Sequence, residues 1–199
     1  MMLRAARELF IERGYRGTTT REIAQLADVT EVLIFSHFES KANLFNEAVI
    51  SPVEAAIDGL VQRHEARAAD DQFEGSELSC WARGCLAEIY DSLYGIHRLL
   101  GTLLAAQTHD PDLAQRLRLM LARLSVMVLD RAPHDVVFDA RACVAVELIV
   151  GSVVAAAVHG SLLFGSGPAP DRETLVEHLG AQLRRAGIER SQLAESSSF

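Results

Sequence analysis

Several things this chain lacks narrow what it can do. No G-x-S-x-G elbow, phosphate loop or G-x-G-x-x-G fingerprint occurs, and the 13 glycines form no phosphate-binding cluster. Acyl-enzyme chemistry and nucleotide-cradling loops thereby lose their usual carriers, and the chain reads as a non-enzyme with no cofactor. The three cysteines, Cys80, Cys85 and Cys143, have no metal-ligand spacing. An odd count suits reduced thiols in the cytoplasm. Seven scattered histidines form no ligand pair beyond the Glu/His mixtures common on helices, so no metal site is expected. Aromatic residues make up only 6% and prolines number five, so the 49% hydrophobic content is chiefly Leu, Ala and Val. With few alternating β-branched runs, this composition predicts an all-α fold. A basic excess is missing too. The net charge is −8 over 199 residues.

That acidity is unevenly placed. Residues 1–50 carry six basic and seven acidic side chains, net −1, and the remaining 149 carry 13 and 20, net −7. Any polyanion-binding surface therefore belongs to the N-terminal quarter, where the non-specific electrostatic attraction is modest.

That quarter also carries the densest pattern. Leu3, Ala6, Leu9 and Phe10 recur at helical spacing before Gly14-Tyr15, a helix stop. Thr19-Thr20-Arg21-Glu22 has the capping-box form and precedes Ile23, Ala24 and Ala27, a compact apolar face. Asp28-Val29 interrupts the pattern. Thr30 caps a second short helix whose buried side is Ile34, Phe35 and Phe38, and Ser40 caps the next segment, with Leu44 and Phe45. Two short helices about a tight turn predict a helix-turn-helix, whose second helix enters the DNA major groove.

Through residues 5–45, the Leu-Phe-x-x-x-Gly-Tyr run, Thr-Thr-x-x-Glu-Ile-Ala, Ala-x-Val-Thr, Phe-x-x-Phe and Ser-Lys before Leu-Phe occur in order. This string resembles the DNA-binding domain of the TetR family of transcriptional repressors. The resemblance implies a ligand-responsive dimer whose two recognition helices meet a palindromic double-stranded DNA operator. The Leu, Val, Ala and Met content of residues 75–165, with a few polar aromatic tips, suits a small, largely apolar effector. Asp28 stands where that family usually has Gly, Glu31-Val32 where it often has Lys-Gly, and Phe35 where it usually has Tyr. Asp tolerates the left-handed turn, and the Glu31 carboxylate can accept from cytosine N4. The expected DNA-binding residues are Thr30, Glu31, Leu33 and Ser36 toward the groove, with Phe35 beside them, and Thr19, Arg21, His37 and Lys41 toward phosphates.

Beyond residue 45 the pattern predicts helices alone. One runs from Lys41 toward Arg67, with Pro52 inside it as a kink or a helix junction. Others cover about 77–94 and 96–108; one starts at Asp110-Pro111 and ends near Asp130; a last one is capped by Asp171 and ends near Ala186. Residues 142–164 are apolar on nearly every side and long enough to span a membrane. Glu147 and His159 inside the run favour instead a core helix shared with a second subunit. The expected division is a DNA-binding domain over 1–45, a helical-bundle regulatory and dimerisation domain over 46–188, and a flexible tail over 189–199.

Trp81, Tyr90, Tyr94, His97, His109, Met120, Met127 and His159 are the side chains best able to line an effector pocket, expected within residues 75–165. Aromatics and Met at helical spacing also simply fill cores. A helical small-molecule binder that has lost its operator stands as the alternative, favoured by Glu31 and the near-neutral N-terminal module.

Overall fold

A computed structural model describes residues 1–70, 78–130, 132, 136–137, 139–163, 171–186 and 188–189. The described residues are overwhelmingly helical. Their helices are α1 Met2–Gly17, α2 Thr20–Leu26, α3 Glu31–Phe38, α4 Lys41–Phe45, α5 Ser51–Asp70, α6 Leu78–Gly95, α7 His97–Ala106, α8 Pro111–Asp130, α9 Ala140–Leu163 and α10 Arg172–Ala186. A π-helical turn, Asn46–Ile50, links α4 to α5. Among the described residues, one two-residue antiparallel pairing, β1 Val136–Val137 with β2 Ile188–Glu189, is the extended element. The tail expected over 189–199 lies outside the described residues apart from Glu189.

The chain divides into two compact units. One comprises Met1–Asp58 with Ile96–Arg118, the other Gly59–Gly95 with Leu119–Phe199. Packing thus groups α7 and the start of α8 with the N-terminal helices, whereas the sequence pattern suggests a single division at residue 45.

In the N-terminal unit Ala5, Ala6, Leu9 and Phe10 of α1 are buried with Ile23, Ala24, Ile34, Phe38, Leu44 and Phe45. Phe10 and Phe45 meet edge to face at 5.0 Å. Gly14 breaks helical geometry inside α1 at φ 72°, which only glycine adopts freely with its ψ of 175°. The buried Thr18 hydroxyl closes the break by donating to the carbonyls of Leu9 and Gly14, at 3.0 and 2.9 Å.

The long helix read from Lys41 carries a π-turn. Pro52 has no N–H to donate to the Ala48 carbonyl four residues back. Arg7 Nε of α1 donates to that oxygen at 3.1 Å, and the backbone just before the proline widens into the π-turn. Phe45, Asn46 and Ser51 all keep helical dihedrals, so the chain runs on through the π-turn into α5 without leaving helical geometry.

The second unit packs α6, α9 and α10 together. Trp81, Leu86, Ile89 and Leu93 of α6, Met120, Leu124 and Met127 of α8, Val146, Ile149 and Val153 of α9, and Val176, Leu179 and Leu183 of α10 are buried. Gly180 lets α10 approach α6 closely: a Cβ there would meet Arg83 Cγ at 3.1 Å. Arg172, at the start of α10, pairs through Nε and Nη2 with both carboxylate oxygens of Asp91 on α6. Asp110 and Asp171 cap their helices as the sequence predicts, accepting from Leu113 N and Thr174 N at 3.1 and 2.8 Å.

Candidate DNA-binding site

The helix-turn-helix is built by its caps. Thr19 Oγ1 accepts from Glu22 N, and Glu22 Oε2 accepts from Thr19 N at 2.9 Å and from the Thr19 hydroxyl at 2.7 Å. Arg13 of α1 donates to the other oxygen of Glu22 at 2.8 Å. The Thr19 bonds, aided by Arg13, hold the Glu22 carboxyl below its ordinary value. Asp28 takes the left-handed turn at φ 54°, filling the role the usual glycine has. Thr30 then caps α3, accepting from Leu33 N at 3.3 Å.

Ile34 and Phe38 anchor α3 to the core, while Phe35, read from the sequence as part of the buried side, lies half out of it. The outward side of α3 is strongly apolar for a surface helix: Val32 is 77% exposed, Phe35 45% and Leu33 39%. Ser36 and His37 are exposed as well, but both turn back on their own helix. The Ser36 hydroxyl donates to Leu33 O at 2.9 Å, and His37 Nδ1 lies 3.0 Å from the same oxygen. The Ser36 hydroxyl is also 3.3 Å from that nitrogen, so the three groups form one cluster on the outer face of α3. The half-buried Glu31 accepts the Thr20 hydroxyl on Oε1 at 2.6 Å, joining the first turns of α2 and α3.

Lys41 opens α4 after Glu39, which holds φ 61°, and the Ser40 cap. Its ammonium sits over the Tyr15 ring, 4.5 Å from the centroid. Burial against that ring lowers its pKa, and Glu22 partly opposes the shift. A cation held over an aromatic face keeps its charge and loses much of its freedom. Arg21 is exposed on α2.

The nine DNA-facing candidates thus lie within the same helix-turn-helix and the start of α4. Thr19 spends its hydroxyl on the cap. Arg13 and Tyr15, which the sequence reading did not select, hold Glu22 and Lys41 in place. Tyr15 was visible only as half of a Gly-Tyr landmark.

The residues read as pocket-lining are dispersed. Trp81, Met120 and Met127 are buried in the second unit, Tyr90 stacks on the exposed Tyr94 at 5.7 Å between centroids, and His159 is exposed. His97 falls in the other unit, and the side chain of His109 lies outside the described residues. Among the described residues no group of His, Cys, Asp and Glu could hold a metal.

Residues 2–48 match the family described as "Bacterial regulatory proteins, tetR family". The HTH-type transcriptional regulator TtgR of Pseudomonas putida is 35% identical over 94 residues, which cover 46% of this chain but only 40% of that regulator's length. Over the full fold, a transcriptional regulator from Aquifex aeolicus superposes with TM-score 0.65 at 19% identity, covering 92% of this chain and 96% of its own. FadR from Bacillus subtilis, solved in complex with stearoyl-CoA, superposes at 0.63 and 18%, covering 93% and 97%. At such identities the likeness is one of fold. The capped helix-turn-helix and the match over residues 2–48 identify the N-terminal segment as a DNA-binding module of the tetR family of bacterial regulatory proteins, and the rest of the chain shares the fold of the solved regulators.

Proposed function

We propose that the protein is a ligand-responsive transcriptional repressor that binds a palindromic operator as a homodimer and works in the cytoplasm, where the DNA is. The observation that carries the reading is α3. It is capped by Thr30, anchored by Ile34 and Phe38, and turns Val32, Leu33, Phe35 and Ser36 outward, the arrangement a groove-reading helix needs. Thr30, Glu31, Leu33 and Ser36 face the bases in this reading. Arg21, His37 and Lys41 face phosphates, and Phe35 supplies apolar contact. Thr19 serves through its cap.

The dimer is supported by α9. Ala140–Gly160 is long and apolar enough to cross a membrane, with mean hydropathy 2.1. One side of it is core, while Val144 is 55% and Leu148 67% exposed. These two align with Gly151 and Ala155 at helical spacing, and a Cβ on Gly151 would meet nothing. A second copy of the same face would cover this stripe, as a two-fold pair requires. A small, largely apolar effector is the reading for the regulatory side, and FadR illustrates a protein of this fold holding an acyl thioester. Residues 1–45 as reader and 46–188 as regulatory and dimerisation domain remain the functional division we favour.

Sedimentation with and without random duplex DNA at low salt tests both halves. The expected result is twice 21.8 kDa and a DNA-bound species. Leu148→Glu should give 21.8 kDa and weak DNA binding. A wild-type dimer that holds no DNA would favour the alternative, a helical binder without an operator.

A further inference from the structure

The N-terminal unit contains a cavity of about 580 Å3, within the size range of small-molecule sites. Four stretches of chain line it: the end of α1, α4 with the π-turn, the end of α7, and the start of α8. The wall is largely apolar. Tyr15 and Phe45 meet edge to face at 4.9 Å, and Leu113 joins them. That surface suits a flat ring.

The charges at the cavity are mostly committed. Arg13 pairs with Glu22. Arg116 binds both oxygens of Glu54 at 2.6 and 2.7 Å and donates to Asn46 Oδ1 of the π-turn at 2.8 Å. Asp110 caps α8, and Asp112 lies in that helix's first turn, where the dipole favours an acid. Arg16 is different. It is exposed, lines the cavity, and has no carboxylate partner among the described residues. An anion at the cavity would find its partner there.

Two lining residues also support the DNA-facing side chains. Tyr15 carries the Lys41 ammonium on its ring. Arg13 holds the Glu22 carboxylate that closes the α2 cap. A body wedged against Tyr15 displaces Lys41, and an anion drawing on Arg13 loosens Glu22. Ligand and DNA then prefer different arrangements of the same residues, the condition for one to release the other.

We propose that this cavity is an effector site for a flat aromatic acid, its ring against Tyr15 and Phe45 and its carboxylate on Arg16, and that filling it shifts Lys41 and the α2 cap. The binding half stands on the cavity alone, while the regulatory half rests on the DNA-binding reading above.

Fluorescence titration of the DNA-free protein with 2-naphthoate, 2-naphthamide and 2-naphthylmethylamine decides the binding half. The acid should bind saturably and about tenfold tighter than the amide, as one charge-assisted bond allows, with the amine weakest. Arg16→Gln, an exposed change, should erase the difference between acid and amide. Ala106→Phe should fill the cavity and exclude all three probes. No saturable binding, or an acid preference that survives Arg16→Gln, overturns the site. Added to a protein–duplex complex, 2-naphthoate should release the DNA. Binding with the Arg16 dependence but without release overturns the coupling. A protein that holds no duplex at all fails the DNA-binding reading instead, and the titration still decides the site.

Discussion

The Thr20 hydroxyl donates to Oε1 of Glu31 across 2.6 Å, fastening the first residue of α2 to the first residue of α3. The bond holds the Glu31 carboxylate through Oε1, and in the proposed reading Oε2 accepts from cytosine N4. Glu31→Gln should cost about 1–3 kcal/mol of discrimination at that one base pair and little on unrelated DNA. Thr20→Val, which only frees the carboxylate, should cost less at the same position. Competition binding on duplexes differing at single pairs measures both. Equal losses on every duplex would mean that Glu31 only holds the two helices together.

Val32 and Leu33 present branched apolar side chains where a groove-reading helix often carries donors. Thymine methyls are the matching base feature. Replacing thymine by uracil within the bound half-site removes that methyl and nothing else. Each methyl that is read should be worth about fourfold in affinity, the value of one buried methyl. Leu33→Ala should make the protein indifferent to the swap at its position. Wild-type binding unchanged by uracil throughout the half-site would rule out methyl readout.

Lys41 is held over Tyr15 as a positioned charge. Lys41→Ala should weaken binding to all sequences alike and flatten the dependence of log affinity on log salt by about 0.9 for each phosphate the protein no longer neutralises. A change in sequence preference with an unaltered slope would place Lys41 on bases instead.

Glu22 makes the module acid-sensitive. Its carboxyl is held below the usual value by Thr19, with help from Arg13. The unfolded chain therefore takes up the proton first as pH falls. The stability from this group is complete above about pH 4.5 and is lost as pH drops through the lower folded value. Glu22→Gln should lower the thermal midpoint at pH 7 and flatten its fall between about pH 5 and pH 3, the window expected of one such carboxyl. Parallel curves for the two proteins would remove Glu22 from the acid response.

What could be read from the chain was local. The caps at Thr19, Thr30, Ser40, Asp110 and Asp171 need only residues three or four apart, and the structure has each of them. The helix-turn-helix follows from those caps with Ile23, Ile34 and Phe38 between them. What escaped depends on residues far apart in sequence. Arg7 reaches the Ala48 carbonyl that Pro52 leaves without its usual donor, and no short pattern contains both. Arg13 holds Glu22 and Tyr15 holds Lys41 across helices. Glu39 holds a left-handed conformation with no Gly or Asn to signal it. The cavity brings residue 13 to residue 116, whereas aromatic and Met content alone drew attention to Trp81, Tyr94 and His159, which differ widely in burial.

Selection of bound duplexes from a random DNA library, at moderate salt, tests the central claim that two copies of α3 read an operator. The expected outcome is an enriched inverted repeat whose half-site centres lie one helical turn, about 34–36 Å, or a multiple of it, apart. Leu33→Ala should alter the enriched sequence. No enrichment above the starting pool, with the protein folded and dimeric, would contradict it.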